Sequence, residues 1–223
     1  MLKIRIPLRC VIAALVAGGV QSAATADDFA PPPYRGAPLS VYAEWEFAMP
    51  PTNWYFIAPD SFDAVGNGLF ELYDGFTTHA EVDDPARWTW HPGDGDGEIT
   101  PAGGTGGASI AFKLQNWMDI LPDKLLRIQV TWSGAAPPMT IAVDGWQGST
   151  TWKFVQQGSQ VVDPNHFYED WRAYPNPWWD VVALWTPEGT AIDEIIIDTV
   201  CLPAPTPLAV ALAGLMALGR RRR

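Results

Sequence analysis

The chain has 223 residues, 48% of them hydrophobic, and sets 25 acidic against 14 basic side chains for a formal charge of −11. Seven of the basic residues lie at the two ends (Lys3, Arg5 and Arg9, then Arg220 to Arg223), so residues 27–202 hold seven cations against all 25 carboxylates, a balance near −18. A field of that sign repels phosphate backbones and anionic lipid; it argues against nucleic acid and a membrane surface as partners and favours divalent cations and neutral ligands.

Taken in order, the chain opens with Lys3, Arg5 and Arg9, continues through an apolar centre from Val11 to Val20, and reaches a small-residue cleavage site at Ala24-Thr25-Ala26. This is the layout of a secretory signal peptide, so the exported chain begins near Asp27. Cys10 leaves with that peptide and only Cys201 remains, which rules out an internal disulfide after export. Cys201 is expected as a small buried residue ending the last strand. Residues 27–202 are long enough for one domain with its own core.

Asp27 to Pro38 holds four prolines and reads as an extended, exposed lead. In Val41 to Phe47, Val41, Ala43, Trp45 and Phe47 alternate with Tyr42, Glu44 and Glu46, the period of a half-buried strand. Further strands are expected at Asn53–Ile57 and Leu69–Tyr73 on either side of Gly66-Asn67-Gly68, then at Arg87–His91. Beyond a glycine-rich loop, strands are expected at Ser109–Leu114, Leu125–Trp132, Met139–Val143 and Thr151–Gln156. Asn116–Lys124 reads as a short helical turn broken at Pro122, and Asp163–Trp179 as a long structured loop. Val181–Thr186 and Ala191–Val200 form the closing pair of strands, joined by Pro187-Glu188-Gly189. Nothing in 27–202 keeps a 3.6-residue period. Many short strands between Gly and Pro turns predict an all-β fold, a single β-sandwich most simply built as a jelly roll, with a barrel as the alternative.

Twelve tryptophans, all within 27–202, are the compositional oddity. Trp45, Trp132 and Trp152 belong to clean apolar faces and are expected in the core. Trp88, Trp90, Trp178 and Trp179 sit beside turn residues and charges. They either fill space between sheets, with the indole N–H on a loop carbonyl, or present flat surfaces on which sugar rings stack. In Gly93 to Glu98, Asp94, Asp96 and Glu98 alternate with glycine. Such carboxylates can converge on calcium, which takes six to eight oxygens, although a solvated acidic turn has the same composition.

No catalytic constellation stands out. His79, His91 and His166 lack zinc spacing, and no Gly-x-Ser-x-Gly elbow occurs. Glu44 and Glu46 are ~6.6 Å apart along their strand, within the range of a glycosidase pair, but their face, with Tyr42, is expected to meet solvent. Glu194 and Asp198 share a face at ~13 Å, too far apart to cooperate.

The chain closes on Pro203-Ala204-Pro205-Thr206-Pro207, eleven residues from Leu208 to Leu218, and Gly219 before Arg220, Arg221, Arg222 and Arg223. As a helix the apolar run is roughly 16 Å long, short of the ~30 Å hydrocarbon core, so it can hold the chain in a membrane only briefly, with the arginines on the cytoplasmic side. Proline break, apolar run and arginine cluster resemble the PEP-CTERM sorting signal, with Ala204 where the family has its glutamate. The resemblance implies recognition and processing by an exosortase-type membrane peptidase. It also implies a bacterial cell envelope with extracellular polysaccharide. The stretch from Tyr34 to Phe47 looks like the start of other passengers of that class. An exported, non-enzymatic surface or matrix protein is the function expected, with a carbohydrate-binding module as the alternative and a secreted glycoside-active enzyme less favoured.

Overall fold

The computed structural model describes residues 28–92, 97–118, 121–134, 136–146 and 153–202. Ala24 and Ala26 of the expected signal peptide, Pro203, Ala204, Pro205 and Arg220 to Arg223 of the expected sorting tail, and both expected terminal helices lie outside these residues, as do Asp94, Asp96 and Trp152. No helix among the described residues is long and apolar enough to cross a membrane.

The described chain is all-β, in two antiparallel sheets. The larger runs β2 (Ser61–Val65), β1 (Ser40–Trp45), β12 (Thr190–Leu202), β7 (Asp123–Gly134), β10 (His166–Tyr174), β9 (Lys153–Asp163). At the far end of β12, β5 (Glu98–Pro101) takes over beside it and carries β4 (Trp88–His91). The smaller sheet runs β3 (His79–Val82), β6 (Gly107–Gln115), β11 (Trp179–Pro187), β8 (Met139–Trp146). Alternation decides which side each strand buries. From the larger sheet Ala43, Trp45, Ile128, Val130, Ile195 and Ile197 meet Ala80, Ile110, Phe112, Leu114, Val182 and Leu184 from the smaller one in a single apolar cluster. Trp45 and Phe112 meet edge to face with ring centroids 4.9 Å apart, and the Trp45 indole N–H donates to the Ile57 carbonyl at 3.1 Å. Cys201 is buried at the end of β12, beside Leu39, Val41 and Trp117.

Several expectations are corrected. Asn53–Ile57 and Leu69–Tyr73 are loops with one isolated bridge each, Ile57 to Ala80 of β3 and Leu72 to Trp117 in the segment after β6. The strand between them is Ser61–Val65, an edge strand of mostly exposed side chains and so without an apolar alternation to betray it. Asp163–Trp179 is no loop through its length, since His166–Tyr174 is a central strand. Its outward residues Tyr168, Asp170 and Arg172 face Gln129, Arg127 and Leu125 of β7, a largely polar register that hides the strand period. Asn116–Lys124 shows no helical turn in its described residues, and Asp123 already begins β7. The closing strands β11 and β12 do not pair: the turn at Glu188-Gly189 carries the chain from the smaller sheet to the larger one.

The proline-rich lead is not extended, and it is exposed only in part: Pro31, Pro33 and Pro38 face solvent, while Pro32 is buried and residues 28–30 are half-buried. It turns across the outer face of β12 and β7: Arg35 forms a two-bond ion pair with Asp198, both contacts at 2.6 Å, and also pairs with Asp28. Gln129 accepts from the Ala30 amide at 2.9 Å, and Arg127 donates to the Ala30 carbonyl at 3.0 Å. Ile196, on the outward side of β12, is 0% exposed.

Candidate functional site

The outer face of the smaller sheet carries a row of rings. In β11, Asp180 and Val182 point to the core, so Trp179 points away from it, between Gln115 of β6 and Trp146 of β8. Trp178, one residue earlier, donates its backbone amide to the Trp146 carbonyl at 3.0 Å, which fixes it beside that indole. The rings then follow one another: Trp146 to Trp178 at 6.1 Å, Trp178 to Tyr73 at 6.4 Å, Tyr73 to Phe76 at 5.8 Å, Phe76 to Trp179 at 5.6 Å. Phe76 also meets His79 at 6.0 Å, and Phe56 stacks on His79 at 4.7 Å. Trp146 is 39% and Phe56 42% exposed, while Tyr73, Phe76, Trp178 and Trp179 are half-buried. Polar groups flank the row: Gln115, Asp144 and the Lys113–Glu81 ion pair at 2.7 Å. A contiguous, laterally supported aromatic surface of this kind is the arrangement that flat apolar ligand faces use.

Trp88 and Trp90 lie elsewhere. Trp88 is 5% exposed and packs in the core, and Trp90 is tied by its indole N–H to the Phe47 carbonyl at 2.7 Å. The ring contacts of Trp178 and Trp179 are with Tyr73, Phe76 and Trp146, so the two tryptophan pairs form no shared row. Tyr73, Phe76 and Trp146 were not legible as partners, because they come from a loop and from a strand far apart in sequence. The doublet Trp178-Trp179 beside prolines was the only signal.

Glu98 lies on β5, where its carboxylate accepts from the Ser133 hydroxyl at 3.3 Å, in a shallow cleft shared with Thr100 and Glu188. Glu188 is itself engaged: its oxygens accept from the amides of Gly104 at 2.6 Å and Gly106 at 2.9 Å, which hold its carboxyl below the usual glutamate range.

A second acidic group was half visible. Glu44 and Glu46 were expected on a solvent-facing strand, but Glu44 is 4% exposed, because β1 is covered on its outer side too. Glu194 on β12, also 4% exposed, joins them, and one oxygen from each of the three carboxylates lies within 4.8 Å of the others. Thr131 donates its hydroxyl to Glu194 at 3.3 Å. Nearby, burial first and Glu44 second push the Asp60 carboxyl up, against the Glu46 and Phe47 amides that donate to it. Carboxylates this close repel unless a proton or a cation stands between them, and their oxygens suit a hard divalent ion. The antiparallel register of β1 with β12, Glu44 opposite Ile196 and Trp45 opposite Ile195, brings Glu194 alongside Glu46, a pairing between strands that neither segment shows alone.

No protein-family model and no curated protein matches this chain.

Proposed function

We propose that this is an exported, non-enzymatic bacterial cell-surface or extracellular-matrix protein that holds polysaccharide on the outer face of its smaller sheet. The sequence supports the setting: a secretory leader at one end, and at the other a tail resembling the sorting signal processed by an exosortase-type peptidase. The order β1-β12-β7-β10 in one sheet and β6-β11-β8 in the other supports a jelly-roll sandwich, with β9 paired to β10 rather than to β8.

The observation that carries the binding half is the ring row from Trp146 through Trp178 and Tyr73 to Phe76 and Trp179. A strongly acidic domain repels anionic polymers, so the ligand is a neutral glycan whose sugar faces stack on the indoles. Affinity electrophoresis against a panel of neutral soluble polysaccharides tests this. Retardation is expected for the native protein, and Trp146→Ala and Trp178→Ala should each weaken binding about tenfold, or ~1.4 kcal/mol. Equal mobility of native protein and both variants on every polymer removes the proposal.

A cation at Glu44, Glu46 and Glu194 is a second reading, favoured by the 4.8 Å convergence of three carboxylates. Calcium at a hundredfold excess over its Kd would stabilise the fold by about 2.7 kcal/mol. The melting temperature should therefore rise with calcium and fall with chelator, and Glu194→Gln should abolish the difference. A melting temperature indifferent to both removes the cation reading.

A further inference from the structure

One end of the core is polar. Lys124 near the start of β7, Asp180 on β11 and Asn116, the residue after β6, are each 0% exposed. Lys124 Nζ donates to Asp180 Oδ2 at 2.8 Å and to the Pro177 carbonyl at 3.1 Å. Asn116 Nδ2 donates to the same two oxygens, at 3.2 and 3.3 Å. The amine and the carboxamide nitrogen therefore lie side by side over one shared carboxylate oxygen. The amide's orientation is set from its other side, where Asn116 Oδ1 accepts from the Trp117 backbone N–H at 3.0 Å and from the Cys201 thiol at 3.7 Å. Asp180 Oδ1 is buried with no hydrogen-bond partner.

A simple salt bridge explains only part of this. Burying an amine and a carboxylate costs more than their attraction returns unless every remaining lone pair is satisfied, and Asp180 Oδ1 is not. The same atoms are well placed for acyl transfer. There is an amine nucleophile beside a carboxamide, one acid touching both the attacking and the leaving nitrogen, and two donors on the oxygen where charge develops. Burial, opposed by Lys124, raises the Asp180 carboxyl, which keeps a proton at hand for transfer. Holding both nitrogens on the same two oxygens within a buried site replaces a bimolecular encounter and excludes competing water.

We propose that the folded protein joins Lys124 to Asn116 through an intramolecular isopeptide bond, with Asp180 as the proton carrier. Asp180 takes a proton from the Lys124 ammonium, and the freed lone pair on Nζ attacks Cγ of Asn116. The carbonyl electrons move to Oδ1, under the Trp117 N–H and the Cys201 thiol. Asp180 Oδ2 then passes a proton to Nδ2, the Cγ–Nδ2 bond breaks and the carbonyl re-forms; Asp180 takes the second proton from Nζ and hands it to the departing ammonia, which leaves as ammonium. Ammonium side chain and carboxamide become a secondary amide and one ammonium ion, and Asp180 ends as it began. No oxidant, reductant or further reactant is needed. The bond ties the end of β6 in one sheet to the start of β7 in the other, in a chain that has no second cysteine for a disulfide once Cys10 is removed with the leader.

Tryptic mapping of the purified full chain decides the matter. The expected result is a peptide from Leu114 to Arg127, uncut after Lys124 and lighter than its sequence by the mass of ammonia, about 17 Da. The Asp180→Asn chain should give the ordinary cut after Lys124 with no mass loss. A native chain that yields the unmodified peptide ending at Lys124 overturns the proposal. A loss of about 18 Da, the mass of water, overturns it as well, because the amide would then lie on a carboxyl rather than on Asn116. A linked Asp180→Asn chain overturns the role of Asp180. The native map is read without any variant, so a variant that fails to fold does not blunt the test.

Discussion

The outer face of the larger sheet is charged and, over β12 and β7, covered, whereas that of the smaller sheet is aromatic and open. On the larger sheet Asp198, Arg127, Asp170 and Gln129 are drawn into pairs beneath residues 28–38, and Arg35 and Arg127 also lie over the rings of Tyr42 and Tyr168 at 4.4 and 4.1 Å. On the smaller sheet the rings are braced by one another and remain reachable. Six of the seven cations in residues 27–202 form ion pairs, and three of them (Arg35, Arg127 and Arg172) serve the covered face. Three of these pairs, Arg35–Asp198, Lys124–Asp180 and Arg172–Asp123, reach buried carboxylates. On the outer face of the smaller sheet the Lys113–Glu81 pair stands beside the ring row, and the rings themselves offer the neutral surface that a sugar can use.

The most forceful way to break this contrast is at Arg35. Asp198 is 1% exposed, so Arg35→Ala leaves a buried carboxylate without its main partner and should cost about 3 kcal/mol in urea denaturation. That figure is the low end of the usual range because the guanidinium keeps 22% exposure. A loss under about 0.5 kcal/mol, the size of an ordinary surface change, would mean that the lead merely rests on the sheet. On the open face the reverse holds. Trp146→Ala should change stability by less than about 1 kcal/mol while glycan binding falls, since that indole is 39% exposed.

Tyr34 sharpens the comparison further. Its hydroxyl is buried under the lead without a hydrogen-bond partner, and burial followed by Asp198 pushes the phenol above its ordinary range. Tyr34→Phe should therefore be neutral or stabilising by up to about 1 kcal/mol, and a clear loss in the same urea assay would reveal a partner for that oxygen.

The smallest effect is at the rim. The Gly104 and Gly106 amides hold the Glu188 carboxyl low, so its folded form stays ionised to lower pH than its unfolded form. Its contribution is present above the ordinary glutamate value of about 4.3 and is lost as pH falls through the depressed folded value. The melting-temperature gap between native protein and Glu188→Gln should close on acidification, and a gap that widens contradicts that sign. Asp198 has the opposite sign: burial raises it despite Arg35, so its ionised form weakens the fold as pH rises through the folded value.

Much of the architecture was legible because burial on one side of a strand imposes a two-residue period. Val41, Ala43 and Trp45 show it, as do Leu126, Ile128 and Val130, and these strands lie where alternation puts them. The period vanishes where neither side is purely apolar. It missed Ser61–Val65 at an open edge, and His166–Tyr174, whose outward side pairs charge with charge. For the site, Trp178 and Trp179 were visible as a doublet, but Tyr73, Phe76 and Trp146 join them only through strand order and a loop. Glu44 and Glu46 were visible as a pair on the wrong kind of surface, because nothing local shows that β1 has a covered outer side.

The sequence by itself determined the all-β character, the inward-facing residues, the acidity and the shortage of cations, since these follow from composition and from the geometry of a single strand. The tertiary structure alone decided which outer face is covered, which rings line up, and which carboxylate each cation meets. Those are contacts between residues up to 163 positions apart, as Arg35 and Asp198 are, and no local preference of the chain encodes them.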